Sequence, residues 1–288
     1  PFFGNGFQVG SSNLICGNLR NLRMMKEGQD MRGGETENGE LRFRVQERRE
    51  WEGSALYHGA VRREGRETPV LLLLPGQERG AHPCVVAIHG FEDRKETWLD
   101  LEGYTKGGQV SRGLLRAGIA VLAVDMYGHG EQREQGGYSG PFPALLNERW
   151  KTFYSRTRAG IEDALAYVEA RADLDAGRIG LVSYSLGGVF AFALADEPSD
   201  IAVVAACVPP AFREDDDEYA PYNHVDGLAN VPFLIVGATQ DEELDFADVQ
   251  WLYQQLPGED KRFLTYESGH SLPAAYAEEV VAWFGKYL

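Results

Sequence analysis

Cysteine is scarce in this sequence: Cys16, Cys84 and Cys207 are the only three, widely spaced and odd in number. Such a set builds neither a disulfide framework nor a thiolate metal cluster, and it points to a reducing compartment, read here as the cytoplasm. Long hydrophobic runs are missing too. The longest candidates, Val70–Leu74 and Ile201–Cys207, fall far short of the roughly 18 apolar residues a bilayer-spanning helix needs, so no membrane partner is expected. Positive charge is in deficit, with 28 Lys and Arg against 44 Asp and Glu and a formal charge of −16. That balance repels a phosphate backbone and argues against nucleic acid as a partner, leaving a soluble, neutral or cationic small molecule as the better fit. Internal repeats and Pro/Gly/Ser linkers are absent. The acidic run Glu214-Asp215-Asp216-Asp217-Glu218 lacks the alternating oxygen spacing of a calcium loop, and no Cys/His/Asp/Glu cluster has zinc spacing, so no metal is expected.

What remains is the composition of a folded globule, 43% hydrophobic and 25% charged, with no composition shift after about residue 40. One domain is expected over residues 41–288, preceded by an extension over residues 1–40. That extension opens Pro1-Phe2-Phe3-Gly4 without the basic-then-apolar order of a signal peptide. It reads as cloned upstream sequence or a processed extension; the alternative is an arm packing Phe2, Phe3 and Phe7 on a neighbouring subunit of a homo-oligomer.

Leu41–Val45 alternates with period two, Ser54–Tyr57 and Val70–Leu74 follow, and together they predict an antiparallel lead-in. Cys84–Ile88 and Ile119–Val124 are apolar throughout, as strands buried on both faces must be. The pattern then predicts helix Gly107–Arg116, helix Arg158–Arg171, strand Arg178–Val182, helix Leu186–Ala195, strand Ile201–Cys207, strand Phe233–Val236, helix Phe246–Leu256, strand Arg262–Tyr266 and helix Ala274–Tyr287. Strands alternating with helices of this length imply an α/β fold, a mostly parallel sheet covered on both faces, with loops gathered at the carboxyl ends of its strands.

The most informative segment is Ile179–Gly188. A short strand runs into Ser183-Tyr184-Ser185-Leu186-Gly187, and the apolar helix Val189–Leu194 begins at once. A serine hydroxyl is a weak nucleophile; it needs an exposed tight turn where a base can reach it and helix-terminal N–H groups can receive an oxyanion. The segment resembles the Gly-x-Ser-x-Gly nucleophile elbow of the α/β-hydrolases, with Ser183 in place of the first Gly. The resemblance extends from about residue 41 to 288, is closest to the dienelactone-hydrolase-like and acyl-esterase branches, and implies an α/β-hydrolase fold of about eight strands. It assigns Ser185 as nucleophile and His270, in the loop after the last strand, as base. Asp241, after the strand Phe233–Val236 and its turn, becomes the acid, with Glu242, Glu243 and Asp245 crowding the same loop. The order Ser185, Asp241, His270 is that of the family.

The resemblance further places the oxyanion donors on the N–H groups of Phe91 and Leu186. His89-Gly90-Phe91 looks like a His-Gly-x oxyanion loop, with His89 as its prop. Asp125–Gly130 resembles the next loop of the fold, read first as scaffold, with Tyr127 as a candidate contact to the acyl group. Residues 132–157, rich in Gly, Pro and aromatics, form a candidate lid or pocket wall carrying Tyr138, Phe142 and Trp150, the alternative being a packed crossover loop without substrate contact; His224 is a further pocket candidate. Dienelactone hydrolases usually carry a cysteine nucleophile, whereas this chain has Ser185. The implied activity is therefore a carboxylesterase acting on small to medium acyl chains, with no cofactor. Lactone or peptide hydrolysis by the same residues, or a catalytically dead binding module, are the alternatives.

Overall fold

The computed structural model describes residues 30–32, 41–76, 80–133, 148–196, 201–213 and 219–288. Its strands are β1 (Asp30–Arg32), β2 (Arg42–Trp51), β3 (Ser54–Arg63), β4 (Arg66–Leu74), β5 (His82–Ile88), β6 (Ala120–Val124), β7 (Leu174–Tyr184), β8 (Ile201–Cys207), β9 (Phe233–Ala238) and β10 (Lys261–Tyr266). Its helices are α1 (Gly107–Arg116), α2 (Glu148–Glu169), α3 (Gly187–Asp196), α4 (Phe246–Gln255) and α5 (Ala275–Tyr287). Among the described residues the strands form a single ten-stranded sheet in the order β1-β2-β3-β4-β6-β5-β7-β8-β9-β10. The first four strands are antiparallel, and β5 to β10 are parallel to one another. The expected architecture is present, with ten strands where about eight were expected. The strand without a counterpart in the expected series is β1, which comes from within the extension and pairs Met31 with Phe43 at the amino-terminal edge.

Burial explains the choice of central strands. Every residue of β6, and every residue of β5 after His82, is buried, because both faces of these strands are covered. On one face Val110 and Leu114 of α1 pack with Tyr276, Val280 and Phe284 of α5. On the other, α2, α3 and α4 cover Val86, Leu122, Leu181 and Ile235. Helix α3 sits deepest: Gly187 to Ala195 are all buried, as a helix apolar on every side must be.

The largest departure from expectation concerns α2, which begins at Glu148 rather than Arg158. Trp150, Phe153, Tyr154, Ile161, Ala164, Leu165 and Val168 are all buried in the main core. Their three- and four-residue spacing makes one helical stripe, so the carboxyl-terminal part of the candidate lid is core helix. Tyr138 and Phe142 lie outside the described residues, as do the acidic run 214–218 and Cys16. No helix among the described residues is long and apolar enough to cross a membrane.

Candidate active site

The turn between β7 and α3 is tight. Ser185 adopts φ +49°, a left-handed conformation that costs a non-glycine residue roughly 1–3 kcal/mol and persists only where the surroundings impose it. They do so through backbone bonds: the Ser185 N–H donates to the Cys207 carbonyl at 2.8 Å, and the Gly188 N–H donates to the Ser185 carbonyl at 2.8 Å. Gly187 is required by contact, since a Cβ there would lie 2.6 Å from the Ile88 carbonyl oxygen. The loop after β5 closes on the same turn, where a Cβ on Gly90 would stand 3.3 Å from Ser185 Cβ. Phe91 and the buried Leu186 therefore flank Ser185 from two different segments. At the first elbow position the Ser183 side chain is fully buried, so Ser there is accommodated inside the sheet without opening the turn.

Asp241 and His270 leave from adjacent parallel strands, β9 and β10, which stay in register from Phe233 opposite Lys261 to Ala238 opposite Tyr266. The ladder continues past the strand ends, with the Thr239 N–H donating to the Tyr266 carbonyl and the Gln240 N–H to that of Ser268. The next step brings the two side chains together: His270 Nδ1 lies 2.8 Å from Asp241 Oδ2. The other carboxylate oxygen, Oδ1, accepts the N–H groups of Glu243 and Leu244, each at 2.9 Å. Burial works against the ionised Asp241, but the His270 bond and these two N–H groups outweigh it and hold the carboxyl below its ordinary range. A carboxylate so placed accepts Nδ1–H and leaves Nε2 as the atom that takes and returns a proton.

Two supports of His270 were not anticipated from the sequence. Tyr184, one residue before Ser185, donates its hydroxyl to the His270 carbonyl at 2.6 Å and accepts the Leu272 N–H at 3.0 Å. Its ring meets the imidazole edge to face at 5.9 Å between centroids, which sets the base loop directly against the serine turn. Glu242 accepts the His270 backbone N–H at 3.1 Å. Of the other carboxylates crowding this loop, Asp245 accepts the Ala247 N–H and caps α4. Glu243 does something else: its Oε2 stands 3.8 Å from His270 Nε2.

The loops after β5 and β6 are fastened to each other behind the site. His89 is buried, with Nδ1 on the Gly90 carbonyl at 2.7 Å and Nε2 accepting the Met126 N–H at 3.1 Å; burial pushes its pKa down to about 3, so it stays neutral. That is a structural prop. Lys95, with no exposed surface, pairs its ammonium with Asp125 at 2.9 Å, with Glu96 at 3.0 Å and with Glu131. These partners outweigh the burial penalty and keep Lys95 charged. His58, Glu96 and Glu131 bring possible ligand atoms within 4.8 Å of one another, from segments too distant for sequence spacing to reveal. Because the Lys95 ammonium already occupies Glu131 and Glu96, the group is an ion-pair network rather than a cation cradle.

The pocket candidates fare differently. Tyr127 lies under the Arg156 guanidinium, 4.9 Å from the ring centroid, and lines a cavity of about 460 Å³ with Arg66, Thr68 and Gln132 beside the start of β4. A second cavity of about 340 Å³ opens between the loops after β5 and β6, lined by Glu92, Asp93, Arg94, His129 and Arg133, one residue beyond Phe91. Trp150 is 2% exposed and packs on Phe153, Phe212 and Tyr219, so it is a core residue rather than an open wall. His224 does not reach the serine. It pairs with Asp196 at 3.0 Å, at the opposite end of α3, about 15 Å from the turn at ~1.5 Å per residue.

A family model for the dienelactone hydrolase family matches residues 98–282, more than half of the chain. The chain belongs to the dienelactone hydrolase family. Among individual proteins, it is 30% identical over 131 residues to the Bacillus subtilis (strain 168) protein named "Putative hydrolase YtaP", a stretch covering 44% of this chain and 43% of that one. The match thus spans less than half the length of this curated relative. The fold of this chain is similar to that of a cold-adapted esterase from an Arctic intertidal metagenomic library, with a TM-score of 0.67, 18% identity, and coverage of 84% of this chain and 98% of that one. The acetyl xylan esterase from Paenibacillus sp. R4 is similar at a TM-score of 0.67 and 19% identity, over 88% of this chain and 90% of that one. At such identities the likeness establishes the α/β-hydrolase fold.

This dienelactone hydrolase family member departs from a thiol chemistry at its described cysteines. Cys84 and Cys207 are both buried in strands, and burial pushes the Cys84 thiol up to about 12 and the Cys207 thiol up as well. Neither offers the exposed, low-pKa thiolate that nucleophilic attack requires.

Proposed function

We propose that the protein is a serine hydrolase that cleaves carboxylic esters of small to medium acyl chain through a covalent acyl-enzyme. The observation that carries this reading is the 2.8 Å bond between Asp241 and His270, formed by loops that abut the left-handed Ser185 turn. His270 Nε2 removes the Ser185 hydroxyl proton as Oγ attacks the ester carbonyl. The oxyanion is received by the Phe91 and Leu186 N–H groups, and Asp241 stabilises the imidazolium. Collapse expels the alcohol, protonated by His270. A water deprotonated by the same nitrogen then releases the acid and regenerates Ser185. The chemistry uses the chain's own side chains and names no cofactor.

Family membership supports hydrolysis, and it favours one second reading, a cyclic ester opened by the same steps with the alcohol kept on the product. A small-molecule substrate and a cytoplasmic location belong to the proposal; two buried free thiols support the latter.

The test is active-site labelling. A fluorophosphonate should add one equivalent to the protein, on the peptide carrying Ser185. Ser185→Ala should lose both the label and the turnover of a chromogenic acetate while melting at the same temperature. An adduct mapped to another residue would overturn the assignment.

A further inference from the structure

The loop after β9 contributes more to the site than its acid. Glu243 is more than half exposed, with a side-chain exposure of 56%, yet its Oε2 stands 3.8 Å from His270 Nε2, the ring atom that faces the reaction. Its position is fixed from two sides. Its backbone N–H is held by Asp241 Oδ1 at 2.9 Å, and its Oε1 accepts the hydroxyl of Tyr104 at 3.2 Å. Tyr104 comes from the segment before α1, and its ring lies 6.3 Å from the His270 ring while remaining 51% exposed. Its hydroxyl stays a donor, because burial and the adjacent Glu243 and Glu242 carboxylates push its pKa up. A tyrosine and a carboxylate from two separate segments are therefore joined across the mouth of the site, above the proton-carrying nitrogen.

The other charges nearby are engaged. Asp241 is spent on Nδ1, and Glu242 accepts the His270 backbone N–H. The Lys106 ammonium is bound to the Leu272 carbonyl at 3.0 Å, the Ser271 hydroxyl at 3.2 Å and the Tyr104 carbonyl at 3.4 Å. Glu243 is thus the carboxylate set against Nε2. In the hydrolysis proposed above, Nε2 protonates the departing alkoxide, so the alcohol part of an ester must pass within a few ångströms of this carboxylate.

We infer that Glu243, held by Tyr104, is a specificity-determining residue that selects esters by the charge of their alcohol part, favouring cationic and neutral alcohols and rejecting anionic ones. The inference rests on the serine-hydrolase reading and deepens it. A unit charge about 6 Å from the carboxylate changes a rate by about threefold in a water-like dielectric and by about a hundredfold at the effective dielectric of a protein surface. The exposure of Glu243 puts the expected effect near the lower bound, about three- to tenfold for each unit of charge.

The experiment uses three acetates of similar size whose alcohol parts differ in charge: acetylcholine, its neutral isostere 3,3-dimethylbutyl acetate, and 3-acetoxypropionate. Acid release is followed in the full-length protein. Glu243→Gln should raise kcat/KM for the anionic ester relative to the neutral one by about three- to tenfold, and lower that for the cationic ester by a similar factor. Glu243→Lys should carry both ratios further in the same directions. Tyr104→Phe, which only releases the carboxylate, should give a smaller shift of the same sign. The wild-type preference should shrink as salt rises. Ratios that stay constant across these variants, or an equal loss on all three esters, would overturn charge selection while leaving Ser185 in place. Turnover surviving in Ser185→Ala would instead overturn the reading beneath it.

Discussion

Tyr184 offers the most direct way to ask whether the base loop is held by the serine strand. Its hydroxyl makes two buried hydrogen bonds, at 2.6 Å to the His270 carbonyl and at 3.0 Å from the Leu272 N–H. Tyr184→Phe keeps the ring, 1% exposed, and its contact with Tyr276, so packing is unchanged and only the two bonds go. Each leaves a buried backbone group without its partner, at about 1–3 kcal/mol apiece. Relief of the phenol's own burial penalty reduces the sum to roughly 2–4 kcal/mol. At roughly 2 °C per kcal/mol for a chain of this size, the melting temperature should fall by about 4–8 °C. Because the loop that moves carries His270, kcat on a short ester should fall about 10- to 100-fold with a smaller change in KM. Circular dichroism melts and steady-state kinetics on the same preparation check both numbers. A melting temperature unchanged within a degree would refute the energetic reasoning, and a large thermal shift with kcat intact would refute the coupling between strand and base.

Other outcomes follow from the crowded acidic loop and from α2. Asp241→Asn should cut kcat on the order of 10⁴-fold, a scale taken from a triad on a different fold, with little thermal shift. Asp245→Asn should act mainly on stability and by well under 1 kcal/mol, because Asn still caps α4; Asp245→Ala should cost about 0.5–2 kcal/mol, read by denaturant titration. A steeper kinetic loss at Asp245 than at Asp241 would mean that the acid is misassigned. Trp150→Ala should cost about 3–5 kcal/mol and leave the ranking of acyl chain lengths unchanged, because the ring is buried against Phe153, Phe212 and Tyr219. A changed ranking at full stability would return Trp150 to the substrate wall.

The parts of the fold that were legible beforehand are those where burial alone dictates residue type. Strand β8 coincides with the apolar run Ile201–Cys207, and α1 with Gly107–Arg116. Strand β2 extends to Trp51 through Gln46-Glu47-Arg48-Arg49-Glu50, a run whose charge hides a strand lying far from the sheet centre. The aromatic residues between Trp150 and Tyr154 suggested a lid because aromatics near a catalytic face attract that reading. Their spacing, continued by Ile161, Ala164 and Val168, carried the helical period all along. The strand-end positions of Ser185, Asp241 and His270 were readable because each follows a strand with an apolar or alternating pattern. The supports supplied by Tyr184, Glu242 and Tyr104 were not, since each depends on which loops meet in space. His224 was misleading for the same reason: its loop leaves the catalytic end of β8 and returns along α3 to Asp196.

The position of β10 in the sheet has a consequence for how the protein would fail. Among the described residues it is the last strand, paired on one side only, and none of its six residues is fully buried. Strand β7, which carries the serine turn, lies three places inward with neighbours on both sides. Ser185 therefore follows an interior strand and His270 an edge strand, where opening costs only a fraction of global unfolding. Warming would release the imidazole from its partner while the serine turn and most of the sheet stay native. Activity should then disappear reversibly below the melting transition, with amide hydrogen exchange accelerating first in Lys261–Tyr266 and last in Ile179–Tyr184.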